Sequence, residues 1–165
     1  MAKIQLEGVP VETAGDLPAV GTKAPAFTVV NADLEDVRLA DFAGQRVVLN
    51  IFPSLDTGIC ATSVRTFNKL AEQFANTAVI CVSMDLPFAL GRFCGAEGIQ
   101  NVVTASAFRS DFGETYGVRM VDGALAGLLS RSVVIVDTDG TVIYTEQVPE
   151  IKTEPNYEAA AQALA

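Results

Sequence analysis

No histidine occurs anywhere in the chain, and that absence removes more chemistry than any other feature of the composition. Ser-His and Cys-His nucleophile pairs, histidine-ligated zinc and imidazole acid/base catalysis are all unavailable. Cysteine is scarce, limited to Cys60, Cys81 and Cys94. So few thiols cannot staple a secreted disulfide scaffold, and any disulfide among them reads as catalytic rather than structural. Basic residues are also few: 11 Lys and Arg stand against 20 Asp and Glu, for a net charge of −9. They form no cluster able to neutralise a row of phosphates, so no nucleic-acid partner is expected. The acidity reads as a solubility feature. No stretch approaches the ~20 apolar residues of a membrane span, and the opening Met1-Ala2-Lys3-Ile4-Gln5-Leu6-Glu7-Gly8 lacks the apolar run of a secretory signal. No membrane partner is expected, and the expected location is the cytoplasm.

What is present is a globular composition, half hydrophobic and broken at intervals by Gly, Pro and Asp. Residues 1–165 are expected to form a single domain, with residues 1–15 as an N-terminal β-hairpin extension. Ile4 to Glu7 and Val9 to Glu12 alternate around Gly8, which predicts that hairpin. Phe27 to Val30 and Val37 to Leu39 read as short strands. Arg46 to Phe52 is β-branched and nearly continuous, as in a strand buried on both faces. From Cys60 onward, Val64, Phe67, Ala71 and Phe74 recur at helical spacing, predicting a helix of about four turns with one core-directed face. Thr77 to Met84 is a second buried strand, so this helix is the crossover of a βαβ unit.

Pro87 opens a second helix to about Glu97, weakened by Gly91, Gly95 and Gly98. Val102 to Thr104 reads as a strand and Ser110 to Tyr116 as a short helix ended by Gly117. Ser132 to Val136 and Thr141 to Thr145 pair through Asp137-Thr138-Asp139-Gly140, and Tyr157 to Leu164 forms a closing helix. A parallel βαβ unit, an antiparallel hairpin and a closing helix predict an α/β, thioredoxin-like fold: a central mixed sheet flanked by helices, with the N-terminal hairpin added. A flavodoxin-like chain would continue with parallel crossovers where this one turns back.

Cys60 falls in the first turn of a helix just after a buried strand, in Pro53-Ser54-Leu55-Asp56-Thr57-Gly58-Ile59-Cys60. The unpaired N–H groups and positive dipole end of such a helix favour a thiolate over a thiol. Thr57 sits three residues earlier, where its hydroxyl can cap the helix or reach the same small volume, and Pro53 shapes the loop. From position alone a cysteine on a helix face is more often a small buried hydrophobe. Cys81, inside Val79-Ile80-Cys81-Val82, is expected to be that. Phe42, Phe93 and Tyr116 are expected in the core, and Arg65 and Arg92 on the surface.

On Pro53, Thr57 and Cys60 the chain resembles the peroxiredoxins, whose motif is Pro, three residues, Thr, two residues, Cys. Asn50-Ile51-Phe52-Pro53, Asp85-Leu86-Pro87-Phe88-Ala89 and Arg92-Phe93-Cys94-Gly95-Ala96-Glu97-Gly98 are similar to the thiol peroxidase subfamily, and the resemblance spans essentially the whole chain. It implies a peroxidase that reduces hydrogen peroxide and organic hydroperoxides, with no cofactor and no metal. Cys60 would attack the O–O bond and become a sulfenic acid, and Cys94 would resolve it as an intrasubunit disulfide. Arg131 matches the family's active-site arginine, thioredoxin would be the reductant, and the protein would be a homodimer. Among rival functions, a dithiol oxidoreductase requires Cys-x-x-Cys, whereas position 57 is threonine. A non-catalytic redox sensor would oxidise once without cycling. A cysteine-bound metal site has only unclustered thiols to draw on.

Overall fold

The computed structural model describes residues 2–165. Its centre is a seven-stranded mixed sheet in the order β4-β3-β7-β6-β5-β8-β9. These strands are β3 (Thr28–Asn31), β4 (Asp36–Arg38), β5 (Arg46–Ile51), β6 (Thr77–Ser83), β7 (Val103–Ser106), β8 (Ser132–Val136) and β9 (Val142–Gln147). β5, β6 and β7 run parallel, while β8 pairs antiparallel with β5 and β3 antiparallel with β7. The two crossovers between parallel strands are helices, α1 (Gly58–Ala71) and α2 (Pro87–Glu97). Each therefore starts at the C-terminal end of its strand, the edge where α/β sheets hold their ligands.

The nearly unbroken apolar runs are explained by burial on both sides of the sheet. One face presents Leu49, Ile51, Ile80, Val82 and Val134 to a core containing Phe27, Phe112 and Tyr116. The other presents Val48, Phe52, Val79, Cys81, Val133 and Ile135 to α1 and to α4 (Tyr157–Leu164). In α1 the residues at helical spacing, Cys60, Val64 and Phe67, are the ones that face this core, with Leu70 and Ala71 packed at its margin and Phe74 just beyond the helix. Phe42 and Phe93 lie partly buried against the two cores, and Tyr116 is fully buried with its hydroxyl donating to Pro25 O at 2.7 Å.

β1 (Lys3–Leu6) and β2 (Val9–Glu12) form the expected N-terminal hairpin, with Ile4 opposite Val11. It is a separate two-stranded sheet closing a third, small core with Met120 and Ile151. Two elements differ from the sequence reading. The short helix α3 covers only Phe112–Thr115, because Ser110 Oγ accepts the Phe112 N–H (3.1 Å) and holds the chain outside the helix. Gly98 does not weaken α2 but ends it: its φ of 64° closes the helix, and its N–H returns to Cys94 O. At Gly117 a side chain would collide with the Asp16 backbone, so glycine there permits the close approach.

Candidate active site

Pro53 is buried at the end of β5 and directs the chain into a short loop before α1. Asp85, after β6, organises that loop. Its carboxylate accepts the Ser54 hydroxyl at 2.7 Å, the Leu55 N–H at 2.8 Å and the Ser83 hydroxyl at 2.7 Å. Thr57 takes the N-cap position with extended backbone (φ −111°), yet its side chain caps nothing: the hydroxyl donates to Ser54 O at 3.0 Å. The capping role considered for Thr57 is therefore not the one it fills. Three residues further, Cys60 lies in the first helical turn, fully buried, where the helix N–H groups lack intrahelical partners.

Arg131 comes to this point from the start of β8 and is 2% exposed. Its Nη2 donates to Cys60 Sγ at 3.2 Å, and its Nε donates to Ile151 O at 2.8 Å. Ile151 is in turn held by the N-terminal hairpin, since its N–H donates to Gln5 O at 2.8 Å. Among the described residues no carboxylate pairs with Arg131, and its Nη1 is buried without a hydrogen-bond partner. A buried guanidinium needs an anion or acceptors. The sulfur of Cys60 and the adjoining cavity are what remain to supply them. That cavity, about 490 Å³, is lined by Arg131, Pro53 and Thr57 and by the apolar side chains of Leu6, Ile59, Leu125, Leu128 and Ile151. At its edge Lys152 and Glu7 form an ion pair at 2.6 Å.

Cys94 is half-buried on α2, with its Sγ 3.3 Å from Thr104 Oγ1 on β7. All three cysteines are free, so Cys60 and Cys94 stand apart on separate helices. Arg65 of α1 ties those helices together, pairing with Glu97 and lying over the Phe93 ring at 5.9 Å. Arg92 approaches Asp56 at 4.0 Å, with both side chains exposed. Cys81 is fully buried on β6, between Asn50 and Thr104 in the strand register. Burial pushes its thiol up to about 12, with the proximity of Cys94 adding and the Asn50 amide, 3.6 Å from the sulfur, opposing.

Three participants carried no usable signal in the sequence. The Ile151 carbonyl is a backbone group that any residue supplies. Thr104 and Asp85 become meaningful only through partners on other elements. Asp85 stands in a stretch that carries the resemblance, which gives it no role.

The chain matches the Redoxin family model over residues 19–161. It is 58% identical to the thiol peroxidase of Mycobacterium tuberculosis (strain ATCC 25618 / H37Rv) and 56% identical to that of Corynebacterium glutamicum, each over 99% of both chains. Among solved structures, a peroxiredoxin-like protein from Aquifex aeolicus superposes with a TM-score of 0.95 at 41% identity, covering 99% of this chain and 96% of that one. A thiol peroxidase from Chromobacterium violaceum shares the fold, with a TM-score of 0.91 at 22% identity over 98% and 94% of the two chains.

Proposed function

Because this chain belongs to the redoxin family, and within it to the thiol peroxidases, it is a thiol-dependent peroxidase, and we propose that Cys60 attacks the hydroperoxide while Cys94 resolves the product. The single observation that carries the assignment is the contact of Arg131 Nη2 with Cys60 Sγ, in a buried site where the guanidinium has no carboxylate partner among the described residues. The thiolate displaces at the distal oxygen, the O–O bond breaks, and the leaving alkoxide takes up a proton to depart as alcohol, or as water from hydrogen peroxide. Arg131 supplies fixed donors where negative charge develops, its Nη1 being free to bind a peroxide oxygen. Thr57 and Pro53 form the rim that holds the peroxide against the sulfur and keeps bulk water out.

The resulting Cys60 sulfenic acid is attacked by the Cys94 sulfur, and water leaves as the disulfide forms. Thioredoxin, a dithiol, then returns both sulfurs to thiols and is itself oxidised. The apolar cavity beside Arg131 favours organic hydroperoxides alongside hydrogen peroxide, since it can shelter an alkyl group. We place the cycle in the cytoplasm, where dithiol reductants are maintained. Among the described residues no helix is long and apolar enough to cross a membrane.

Homodimerisation is supported by the exposed Leu86 and Phe88 at the start of α2, with exposed Phe108 beyond the neighbouring strand β7. Sedimentation of wild type should show a dimer that Phe88→Asp converts to monomer. A wild-type monomer at working concentration would remove the assignment.

The test of the two cysteine roles is intact mass and thiol content after one equivalent of an organic hydroperoxide. Wild type should form the Cys60–Cys94 disulfide, Cys60→Ser should be inert, and Cys94→Ser should stop at sulfenic or over-oxidised Cys60. If Cys60→Ser consumed peroxide as fast as wild type, the mechanism would be wrong.

A further inference from the structure

The two sulfurs that must meet begin on separate helices, and a disulfide needs their Cα atoms within ~4.4 to 6.8 Å. Whatever holds the two helix starts in place therefore opposes closure. Asp85 stands at that junction. It lies between β6 and α2, in the segment that begins the Cys94 helix, while two of its three carboxylate partners, the Ser54 hydroxyl and the Leu55 N–H, belong to the loop that begins the Cys60 helix. Its third, the Ser83 hydroxyl, is buried at the end of β6 and anchors the carboxylate to the sheet. The Leu55 side chain is buried in the core shared with Cys60, so the pinned N–H belongs to a residue that must shift if the Cys60 loop opens.

Other links between the segments are weaker by position. The Arg92–Asp56 contact is 4.0 Å long between exposed side chains, and Arg65 and Glu97 are partly exposed. Among the described residues, only Asp85 presents a carboxylate, partly buried, with donors from the Cys60 loop and from the sheet on the same group. Hydrogen bonds to an ionised acceptor are roughly twice as strong as neutral ones.

We propose that Asp85 is the positioning residue that times the resolving step: it clasps the Cys60 loop to the root of the Cys94 helix, and its release from Ser54 and Leu55 is what lets Cys94 reach the Cys60 sulfenic acid. The inference rests on the cysteine roles proposed above. The sulfenic acid has two fates. Attack by the Cys94 sulfur forms the S–S bond and expels water. A second hydroperoxide instead adds an oxygen to the sulfur, leaving sulfinic acid and releasing an alcohol. By holding the folded arrangement, the clasp lengthens the life of the sulfenic acid and raises the share lost to the second fate. Its strength therefore sets the peroxide concentration at which the enzyme inactivates itself.

The experiment reads that partition by mass spectrometry of the full-length, reduced protein, quenched after exposure to graded cumene hydroperoxide. Wild type supplies the reference ratio of disulfide to Cys60 sulfinic acid. Asp85→Asn keeps the shape but cannot accept all three donors, and should raise the peroxide concentration for half over-oxidation about tenfold, the scale of losing a hydrogen bond to a charged group. Ser54→Ala keeps the carboxylate and removes one donor, and should raise it about threefold, so that the inference is still decided if Asp85→Asn fails to fold. Phe27→Leu, which weakens the core on the other face of the sheet, should leave the partition at the wild-type value even though it lowers the melting temperature. An unchanged or lowered threshold in Asp85→Asn and Ser54→Ala, or an equal rise in Phe27→Leu, would overturn the role of Asp85 alone. If wild type formed no Cys60–Cys94 disulfide, the cysteine roles would fall and the clasp with them.

Discussion

At the scale of single residues, the site is a matter of how one buried cation is divided among its partners. Arg131 uses Nε on the Ile151 carbonyl and Nη2 on Cys60 Sγ, and the proposed mechanism gives its unpartnered Nη1 to the peroxide. A lysine carries the charge but not this planar fork, so it cannot hold the carbonyl and the sulfur in the same geometry. Arg131→Lys should therefore lower the second-order rate of Cys60 oxidation by about tenfold to a hundredfold, the scale of one or two lost hydrogen bonds to charged groups. Competition for peroxide against a reference peroxidase measures this, and an undiminished rate would show that charge alone suffices.

Cys81 provides the contrast. Its thiol, raised to about 12 by burial, stays protonated and inert in the folded protein. Iodoacetamide at pH 8.5 should modify it only after denaturation. Because its folded value lies above the unfolded one, the proton it retains contributes stability that is complete below about pH 9 and is lost as pH rises toward 12. Urea unfolding under reducing conditions should thus weaken more steeply between pH 9 and 11 in wild type than in Cys81→Ala.

At the scale of elements, α1 and α2 are built differently. α1 buries a continuous apolar stripe and is pinned further inside by Asn50, whose amide donates to Ser63 Oγ at 3.2 Å, while Ser63 Oγ donates to Cys60 O at 2.8 Å. α2 buries only Pro87 and Leu90 and carries Gly91 and Gly95 within its span. Glycine inside a helix is less favourable than alanine by roughly 0.5–1 kcal/mol, and at Gly95 an added Cβ meets nothing within 4 Å. If closure of the disulfide requires α2 to loosen, Gly95→Ala should slow it by about twofold to fivefold. Gly98→Ala should act in the opposite sense, because alanine is strained at the φ of 64° that ends the helix. Oxidised and reduced structures with the same backbone from Phe88 to Gly98 would contradict this.

At the scale of the whole molecule, the cavity beside Arg131 is an assembly of distant pieces. Leu6 comes from the N-terminal hairpin, Leu125 and Leu128 from the segment before β8, and Ile151 from the segment after β9. The hairpin also steadies Arg131 through the Gln5 to Ile151 bond, so it serves the site from both sides. Leu128→Ala removes apolar lining without touching the sulfur or the guanidinium. It should raise KM for cumene hydroperoxide about tenfold while changing that for hydrogen peroxide little, since burying an alkyl group is worth ~1–3 kcal/mol. Equal changes for both substrates would mean that the cavity does not hold the organic group.

The strands, their turns and the two cysteine helices were legible in the sequence because local periodicity and Gly, Pro and Asp punctuation report directly on burial and chain reversal. The helix start at Cys60 was legible for a similar reason, while the nucleophilic reading of its thiol came from the resemblance, position alone favouring a small buried hydrophobe. A helix start is a local feature, and the dipole and free N–H groups act on the residue found there. The placement of Cys81 in the core followed from its apolar neighbours. Arg131 was reached only by resemblance, since its value comes from meeting a sulfur 71 positions away in the chain. Asp85, Thr104 and the Ile151 carbonyl could be assigned only from the folded chain. A carboxylate in a loop, a threonine in a strand and a backbone oxygen look the same in sequence whether or not they have work to do. Their roles arise from long-range contacts, which depend on how the sheet orders its strands and not on any residue's neighbours along the chain. Local chemistry thus determined where the strands and helix starts fall, and tertiary packing decided which groups meet Cys60 and Arg131, because those contacts join residues far apart in the chain.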